Sequence, residues 1–287
     1  MAFLTFVTTC RGRLAHLRET LPKLAAQPDA AVIVVDYGCP EESGRWVEAT
    51  LPQVSVVRSD GSPRFELARA RNLGAARARS PWICFIDADT GVTADFCERL
   101  KPLLKAGRFY QARTKETWGT AICATPDFER IGGYDEVIQG WGMEDEDFYA
   151  RLSLAGVRSA KFPGELLTVI NHTDNERVAH YDMKDRWVTE SINHVYCRAK
   201  MDLMILKQVL PDLDSRKQLY AKVHAAVTKA RSTGQPLAIE VPFRAHETRM
   251  CGPLQTKLVY TMPKPRGEGV PKNTGDLLAR LRPRQKP

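Results

Sequence analysis

Residues 31–35 form an unbroken apolar run, Ala-Val-Ile-Val-Val, that stops at Asp36. A strand of this kind is apolar on both faces, so both faces must be covered. That is the condition of a parallel sheet with helices on each side. The flanking chain supplies the other parts. Phe3–Thr9, Val54–Val57 and Trp82–Ile86 read as further strands. Between them, Leu14, Leu17, Leu21 and Leu24 make a helical stripe, a helix is expected around Arg45–Ala49, and Phe65–Arg79 is helical in composition. Thr93 is placed to cap a helix carrying Phe96, Leu100 and Leu103. Strands alternating with helices predict an α/β fold, a Rossmann-like, mainly parallel sheet flanked by helices.

In such sheets ligands bind beyond the carboxyl ends of the strands. Thr8–Arg11, Asp36 and Asp87–Asp89 all fall at ends of that kind, which points to a nucleotide site. The GxGxxG fingerprint of a dinucleotide site is absent. If Asp87-Ala88-Asp89 is extended, its two carboxylates would share one face, so both could address one hard divalent ion or its waters. Such an ion would neutralise a diphosphate. The plainer reading is a polar loop after a strand.

A second constellation spans Gly132–Leu154, GGYDEVIQGWGMEDEDFYARLSL. Phe148, Leu152 and Ala155 recur at helical spacing and Gly156 is a stop, so the four acids Glu144–Asp147 occupy a loop and the first turn of a helix. Free N–H groups and the helix dipole favour negative charge there. Trp141 sits between Gly140 and Gly142. Flanking glycines are expected to leave its indole face open. An open indole beside carboxylates suits a sugar, whose C–H face packs on the ring while its hydroxyls bond to the acids.

These segments together carry a resemblance. Cys84-Phe85-Ile86-Asp87-Ala88-Asp89 resembles the metal-binding motif of glycosyltransferase family 2, which has the GT-A fold. Val34-Val35-Asp36 with Gly38 resembles that family's nucleotide-binding strand end, and Ala68–Gly74 its nucleotide-facing helix. Gly132–Glu136 with Gly140–Asp145 resembles the C-terminal catalytic region of β-1,4-galactosyltransferases and chondroitin-polymerase-like enzymes. The resemblance covers residues 1–176.

It implies Asp145 as the general base on the acceptor hydroxyl, Glu144 as an acceptor-binding carboxylate, and Trp141 with Gly142 as sugar contacts. It implies Asp89, Asp87 and His172 as metal ligands, with Asp89 the direct one. Val169 stands where the galactosyltransferases carry a methionine ligand, which removes one donor from the set. Thr8, Arg11 and Asp36 are implied for uracil and ribose, with Arg69 and Arg71 for diphosphate or base. Arg77 and Arg79 read better as an exposed helix face. Retaining polypeptide N-acetylgalactosaminyltransferases carry Asn at the position of Asp145 and DxH in place of DxD, so the likeness favours inversion.

The expected activity is transfer of a hexose or N-acetylhexosamine from a UDP-sugar to a glycan or glycoconjugate. The expected cofactor is a divalent metal, Mn²⁺ preferred and Mg²⁺ as the alternative. A catalytically silent sugar- or nucleotide-binding protein is the rival class. A nucleotidyltransferase is a weaker one, since Thr8–Arg13 holds a single glycine. The expected domains are 1–176 (nucleotide-binding half 1–90, acceptor half 91–176), a helical extension over 177–260, and a basic flexible tail over 261–287. Glu165–Asn171 reads as a strand before His172, and Arg186–Leu210 and Lys217–Lys229 as helices.

Charge sharpens the picture of the tail. From Ala221 onward thirteen basic residues face four acids, so the net charge of +8 belongs to the C-terminal part. A solvated tail is the first expectation and peripheral contact with an anionic membrane the second. Nucleic acid is not expected as a partner, because no aromatics interleave the basic residues. Seven scattered cysteines without a CxxC pair, no apolar run of about 18 residues and no signal-peptide pattern suggest a reduced, cytoplasmic compartment, with the inner membrane face as a second place.

Overall fold

The computed structural model of the 287-residue chain describes residues 2–59, 64–112, 117–170, 181, 185–248 and 252–262. His172 and residues 263–287 of the expected tail lie outside them. By contact density the chain divides into two units, Met1–Glu190 and Ser191–Pro287. Among the described residues no helix is long and apolar enough to cross a membrane.

The first unit is built on a seven-stranded sheet. In chain order its elements begin β1 (Leu4–Cys10), α1 (Leu14–Ala25), β2 (Ala30–Asp36), α2 (Ser43–Thr50), β3 (Ser55–Arg58), α3 (Leu67–Ala75) and β4 (Trp82–Phe85). A short β5 (Thr90–Val92) and α4 (Phe96–Leu100) follow. Then come β6 (Arg108–Ala112), β7 (Ala121–Ala124), α5 (Thr125–Arg130), α6 (Glu144–Leu154), β8 (Arg158–Phe162) and β9 (Leu167–Val169). The spatial order is β3-β2-β1-β4-β7-β6-β8. β7 is antiparallel to both neighbours and every other pairing is parallel.

The period of two along each strand sorts side chains between two cores. Leu4, Phe6 and Cys10 of β1 join Val32 and Val34 of β2 under Leu17, Leu21 and Leu24 of α1. On the other face Val7, Ile33, Val35, Ile83 and Phe85 meet Phe128 and Phe148 from α5 and α6. α3 lies close on this second face because Gly74 has no side chain: a Cβ there would stand 2.4 Å from Val7 Cγ1.

The expected capping role of Thr93 is not what forms. Its hydroxyl donates to Asp95 Oδ1 at 2.7 Å, and the Cys97 N–H near the start of α4 instead donates to Gln27 Oε1 at 3.0 Å. A side chain from the end of α1 outcompetes the local one. The strand expected over Glu165–Asn171 is shorter, a 3₁₀ turn at Gly164–Leu166 followed by β9, which pairs with β5.

In the second unit, α7 (Arg186–Lys207), which starts in the first unit, is followed by α8 (Leu213–Thr233). Asp212 caps α8 by accepting from the Ser215 N–H at 2.8 Å, and Gly234, with φ +67°, ends it. The helical C-terminal region is thus present. It also carries an antiparallel hairpin that the sequence reading does not contain, β10 (Leu237–Thr248) against β11 (Gly252–Met262), with a bulge between Arg244 and His246.

Candidate active site

The site is organised by Arg71. α3 carries this side chain into the protein, where it is 2% exposed. Its Nη1 donates to Asp145 Oδ1 at 2.5 Å and its Nη2 to Asp87 Oδ1 at 3.0 Å. Tyr134 lies under the guanidinium, 4.9 Å from ring centroid to Cζ, and stacks on Phe148 at 4.3 Å. Burial works against a charge here, but Asp145, Tyr134, Asp87 and Glu144 together push the Arg71 pKa above its ordinary value. The residue is a fixed cation. One fork joins the acid after β4 to the acid at the start of α6, so the two motifs that lie far apart in sequence form one site.

Gly119 completes the contact. A Cβ at this position would lie 2.7 Å from Asp87 Oδ2, 3.2 Å from Arg71 Nη2 and 3.4 Å from Asp145 Oδ2. The backbone therefore runs against all three charged groups, and Gly119 O also accepts from Arg71 at 3.4 Å. Beside it, the half-exposed Trp118 carries the Lys161 ammonium 5.2 Å from its ring centroid.

The acids differ in surroundings. Burial raises the Asp145 carboxyl above the usual range; Arg71 opposes this and Asp87 adds to it. Burial and the neighbouring Asp145 push Glu144 up to about 8. Glu144 Oε2 is covered and has no hydrogen-bond partner. Folded Glu144 thus keeps its proton to higher pH than the unfolded chain does. Its contribution to stability is fully present below the ordinary 4.5 and is lost as pH rises through about 8. Glu144→Gln is expected to flatten the fall of the thermal midpoint over this window, read by calorimetry at stepped pH. An unchanged slope would show that Glu144 ionises as freely folded as unfolded.

The turn before α6 is tight. Gly140 and Gly142 have φ +71° and +94°, and Met143, not a glycine, has φ +76°. The Trp141 face expected to be open is occupied: the Arg186 guanidinium lies 3.9 Å from the ring centroid. A cation and an aromatic face attract, and this contact covers the surface that glycine neighbours alone would have left bare.

Asp87-Ala88-Asp89 is held from two sides. The Thr20 hydroxyl of α1 donates to Ala88 O at 2.7 Å, and the Ile170 N–H, just past β9, donates to Asp89 O at 2.8 Å. Asp89 Oδ2 accepts from Arg13 at 3.2 Å and Oδ1 from the Thr90 hydroxyl at 3.2 Å. Asp87 is partly exposed. Among the described residues no three His, Cys, Asp or Glu side chains converge as a metal site. The donor chemistry of Asp87 and Asp89, two hard carboxylates, nonetheless fits Mg²⁺ or Mn²⁺, ions that are commonly held by one or two carboxylates plus substrate. Val169 pairs with Thr90, so β9 runs directly beside this motif; His172 follows it outside the described residues.

At the ends of β1 and β2, both Asp36 oxygens hold the turn, accepting from the Cys39 N–H at 2.8 Å and the Gly44 N–H at 2.7 Å. Arg11 Nη1 donates to Tyr37 O at 3.0 Å. Thr8 is fully buried within β1 with an unpartnered hydroxyl. Arg69 is half exposed and pairs with Glu66 at 3.6 Å. Sequence reasoning did not single out Arg13, Gly119, Trp118 or Tyr181. Tyr181 is buried, its ring 5.5 Å from that of Phe65, and burial together with the charge of Glu144 raises its phenol pKa. Gly119 had no signal at all: its role is a close approach that only the fold creates.

Comparison with known proteins bears on the family and the fold. Residues 5–150 match the model of glycosyl transferase family 2. Among solved structures, residues 1–349 of S. aureus TarS in complex with UDP-GlcNAc superpose with a TM-score of 0.59 at 13% identity, over 81% of this chain and 76% of that one. The mannosyltransferase PcManGT from Pyrobaculum calidifontis, in complex with GDP-Man and Mn²⁺, superposes with a TM-score of 0.54 at 16% identity, over the same shares. At these identities the superpositions speak for the fold, a GT-A sheet with its helices. The family match spans just over half of the chain, and the protein belongs to glycosyl transferase family 2.

Proposed function

We propose that the protein is an inverting, metal-dependent glycosyltransferase that moves a hexose or N-acetylhexosamine from a UDP-sugar to a glycan or glycoconjugate acceptor. UDP-galactose and UDP-N-acetylhexosamines are the donors its motifs favour. The observation that carries the reading is the Arg71 fork, which sets Asp145 beside the Asp87–Asp89 motif. Binding alone would not require a buried carboxylate at that place. The complexes of TarS with UDP-GlcNAc and of PcManGT with GDP-Man and Mn²⁺ support a nucleotide-sugar donor and a divalent ion.

In this reading Asp145 accepts the proton of the acceptor hydroxyl as its oxygen attacks the anomeric carbon from the side opposite UDP, inverting the configuration. A carboxylate raised by burial is a better base than a solvated one. Arg71 is the positioning residue: its charge is committed to Asp145 and Asp87, so we assign the diphosphate to the exposed Arg69 instead. Glu144, with its unpartnered oxygen, takes the acceptor; Trp141 and Gly142 could contact it only where the Arg186 guanidinium leaves the indole uncovered. Arg11, Thr8 and Asp36 shape the uridine pocket; the Asp36 oxygens each keep a lone pair for ribose beyond the turn they hold. A hard divalent ion, Mn²⁺ or Mg²⁺, would be held by Asp89 and Asp87 with His172, and would neutralise the departing diphosphate.

One observation favours a second assignment. Glu144 has an unpartnered oxygen, whereas the Asp145 Oδ1 is bound by Arg71. Glu144 would then be the base and Asp145 a support for Arg71. The paired variants treated in the Discussion separate the two.

The donor half is tested separately. Asp89→Ala is expected to lose metal-dependent UDP affinity by about tenfold or more, read by titration calorimetry with and without Mn²⁺. Equal Mn²⁺ dependence in the variant would remove Asp89 from the metal site.

A further inference from the structure

Cys10 and Cys39 meet where β1 ends and the turn after β2 begins. Their sulfurs are 4.0 Å apart, and both residues are buried. The Gly12 N–H donates to Cys39 Sγ at 3.2 Å. The hydrogen bond from Cys10 lowers the Cys39 pKa to about 5; burial opposes this, and Ser43 and the Gly12 N–H add to the lowering. Cys10, which bonds to that sulfur and feels its charge, is pushed up. The contact thus favours a thiolate on Cys39 and a proton on Cys10. Burial instead raises the thiol pKa of Cys84, Cys97 and Cys123, which disfavours their thiolates.

We infer that Cys10 and Cys39 form a redox modification site, which hydrogen peroxide closes to a reversible disulfide. The Cys39 thiolate attacks the peroxide O–O bond; the sulfur becomes a sulfenic acid and hydroxide leaves, taking up a proton to give water. Cys10 sulfur then attacks Cys39 sulfur, and the second oxygen departs as water with the Cys10 proton. Two thiols are oxidised and one hydrogen peroxide is reduced to two waters. A small oxidant suits thiols this covered.

Closing the bond brings the sulfurs from 4.0 Å to about 2 Å, and both ends of the movement are tied to polar groups. The Cys39 N–H is bonded to Asp36 Oδ1, and Arg11, next to Cys10, is bonded to Tyr37 O. Oxidation therefore displaces Arg11 or the 36–39 turn, and is expected to weaken UDP binding. This consequence rests on the proposed donor site; the disulfide does not.

The test treats the full chain with hydrogen peroxide, blocks remaining thiols with iodoacetamide, and maps the digest by mass spectrometry. The expected product is a Cys10–Cys39 cross-linked peptide pair, about 2 Da lighter than the two thiol peptides and lost on treatment with dithiothreitol. Cys39→Ser is expected to form no link, and Cys10→Ser to leave a dimedone-reactive sulfenic acid on Cys39. Recovery of both thiols alkylated, or of Cys39 as sulfinic acid without a link, overturns the proposal. UDP titration of the reduced and oxidised protein follows. Affinity about tenfold weaker when oxidised, restored by dithiothreitol and constant in peroxide-treated Cys39→Ser, supports the regulatory role. A cross-link with unchanged affinity overturns that role. A cross-link in a protein whose reduced form does not bind UDP confirms the thiol pair and counts against the donor site.

Discussion

Asp145→Asn is expected to lower turnover by about 10²–10⁴-fold, the range a positioned general base supplies, while UDP affinity stays within a few fold. The substitution keeps the size of the side chain and an oxygen for Arg71 Nη1, and Arg71 retains Asp87 at 3.0 Å. What is lost is the negative charge and the capacity to take a proton. Turnover would be read as UDP release from a donor panel with acceptor sugars, and binding by calorimetry. Full turnover in Asp145→Asn would sink the assignment. If Glu144→Gln instead abolishes transfer while Asp145→Asn retains it, the proton passes to Glu144. A loss confined to KM in Glu144→Gln would identify it as an acceptor anchor.

Arg71→Met should be the most destabilising single change in the first unit. It is close in volume but leaves Asp145, Asp87 and Glu144 crowded without their cation. Breaking a buried pair by removing one partner costs about 3–5 kcal/mol, and a fall of the unfolding midpoint on the order of 10 °C is expected. Two companions test the electrostatic origin. Arg71→Lys keeps the charge without the planar fork and should recover only part of the loss. Adding Asp145→Asn to Arg71→Met should raise the midpoint again, because one of the stranded charges is gone. If Arg71→Met unfolds at the wild-type midpoint, the fork is ornamental and the carboxylates are neutralised in some other way.

The first hundred residues were legible where a strand is a continuous apolar run and where a helix carries a clean stripe. Ala31–Val35 and the Leu14–Leu24 stripe needed no tertiary information. β6, β7 and β8 escaped because RFYQA, AICA and RSAKF are four or five residues long and two of them mix charge with apolar groups. The hairpin over 237–262 carries an alternating signal in Leu237-Ala-Ile-Glu-Val, but Pro242 and Pro253 argue against a strand unless the sheet is a two-stranded one with open edges. The acids of the site were legible as motifs. The partner that joins them was legible as a residue implied for diphosphate or base, not as the buried fork between Asp87 and Asp145, since nothing in a sequence says that Arg71 points inward. The covered face of Trp141 shows the same limit, because Arg186 lies 45 positions away along the chain.

The Asp87-Ala88-Asp89 segment is held by Thr20 from one side and by the β9 end from the other. For protein engineering this means the motif is not portable as a tripeptide. A graft of Asp87–Asp89 into another parallel sheet would carry the carboxylates but not their spacing, which is fixed by a hydroxyl on the first helix and an amide at Ile170. The transplantable unit has three pieces drawn from residues 14–25, 82–92 and 167–170, and two of them contain no residue of the motif.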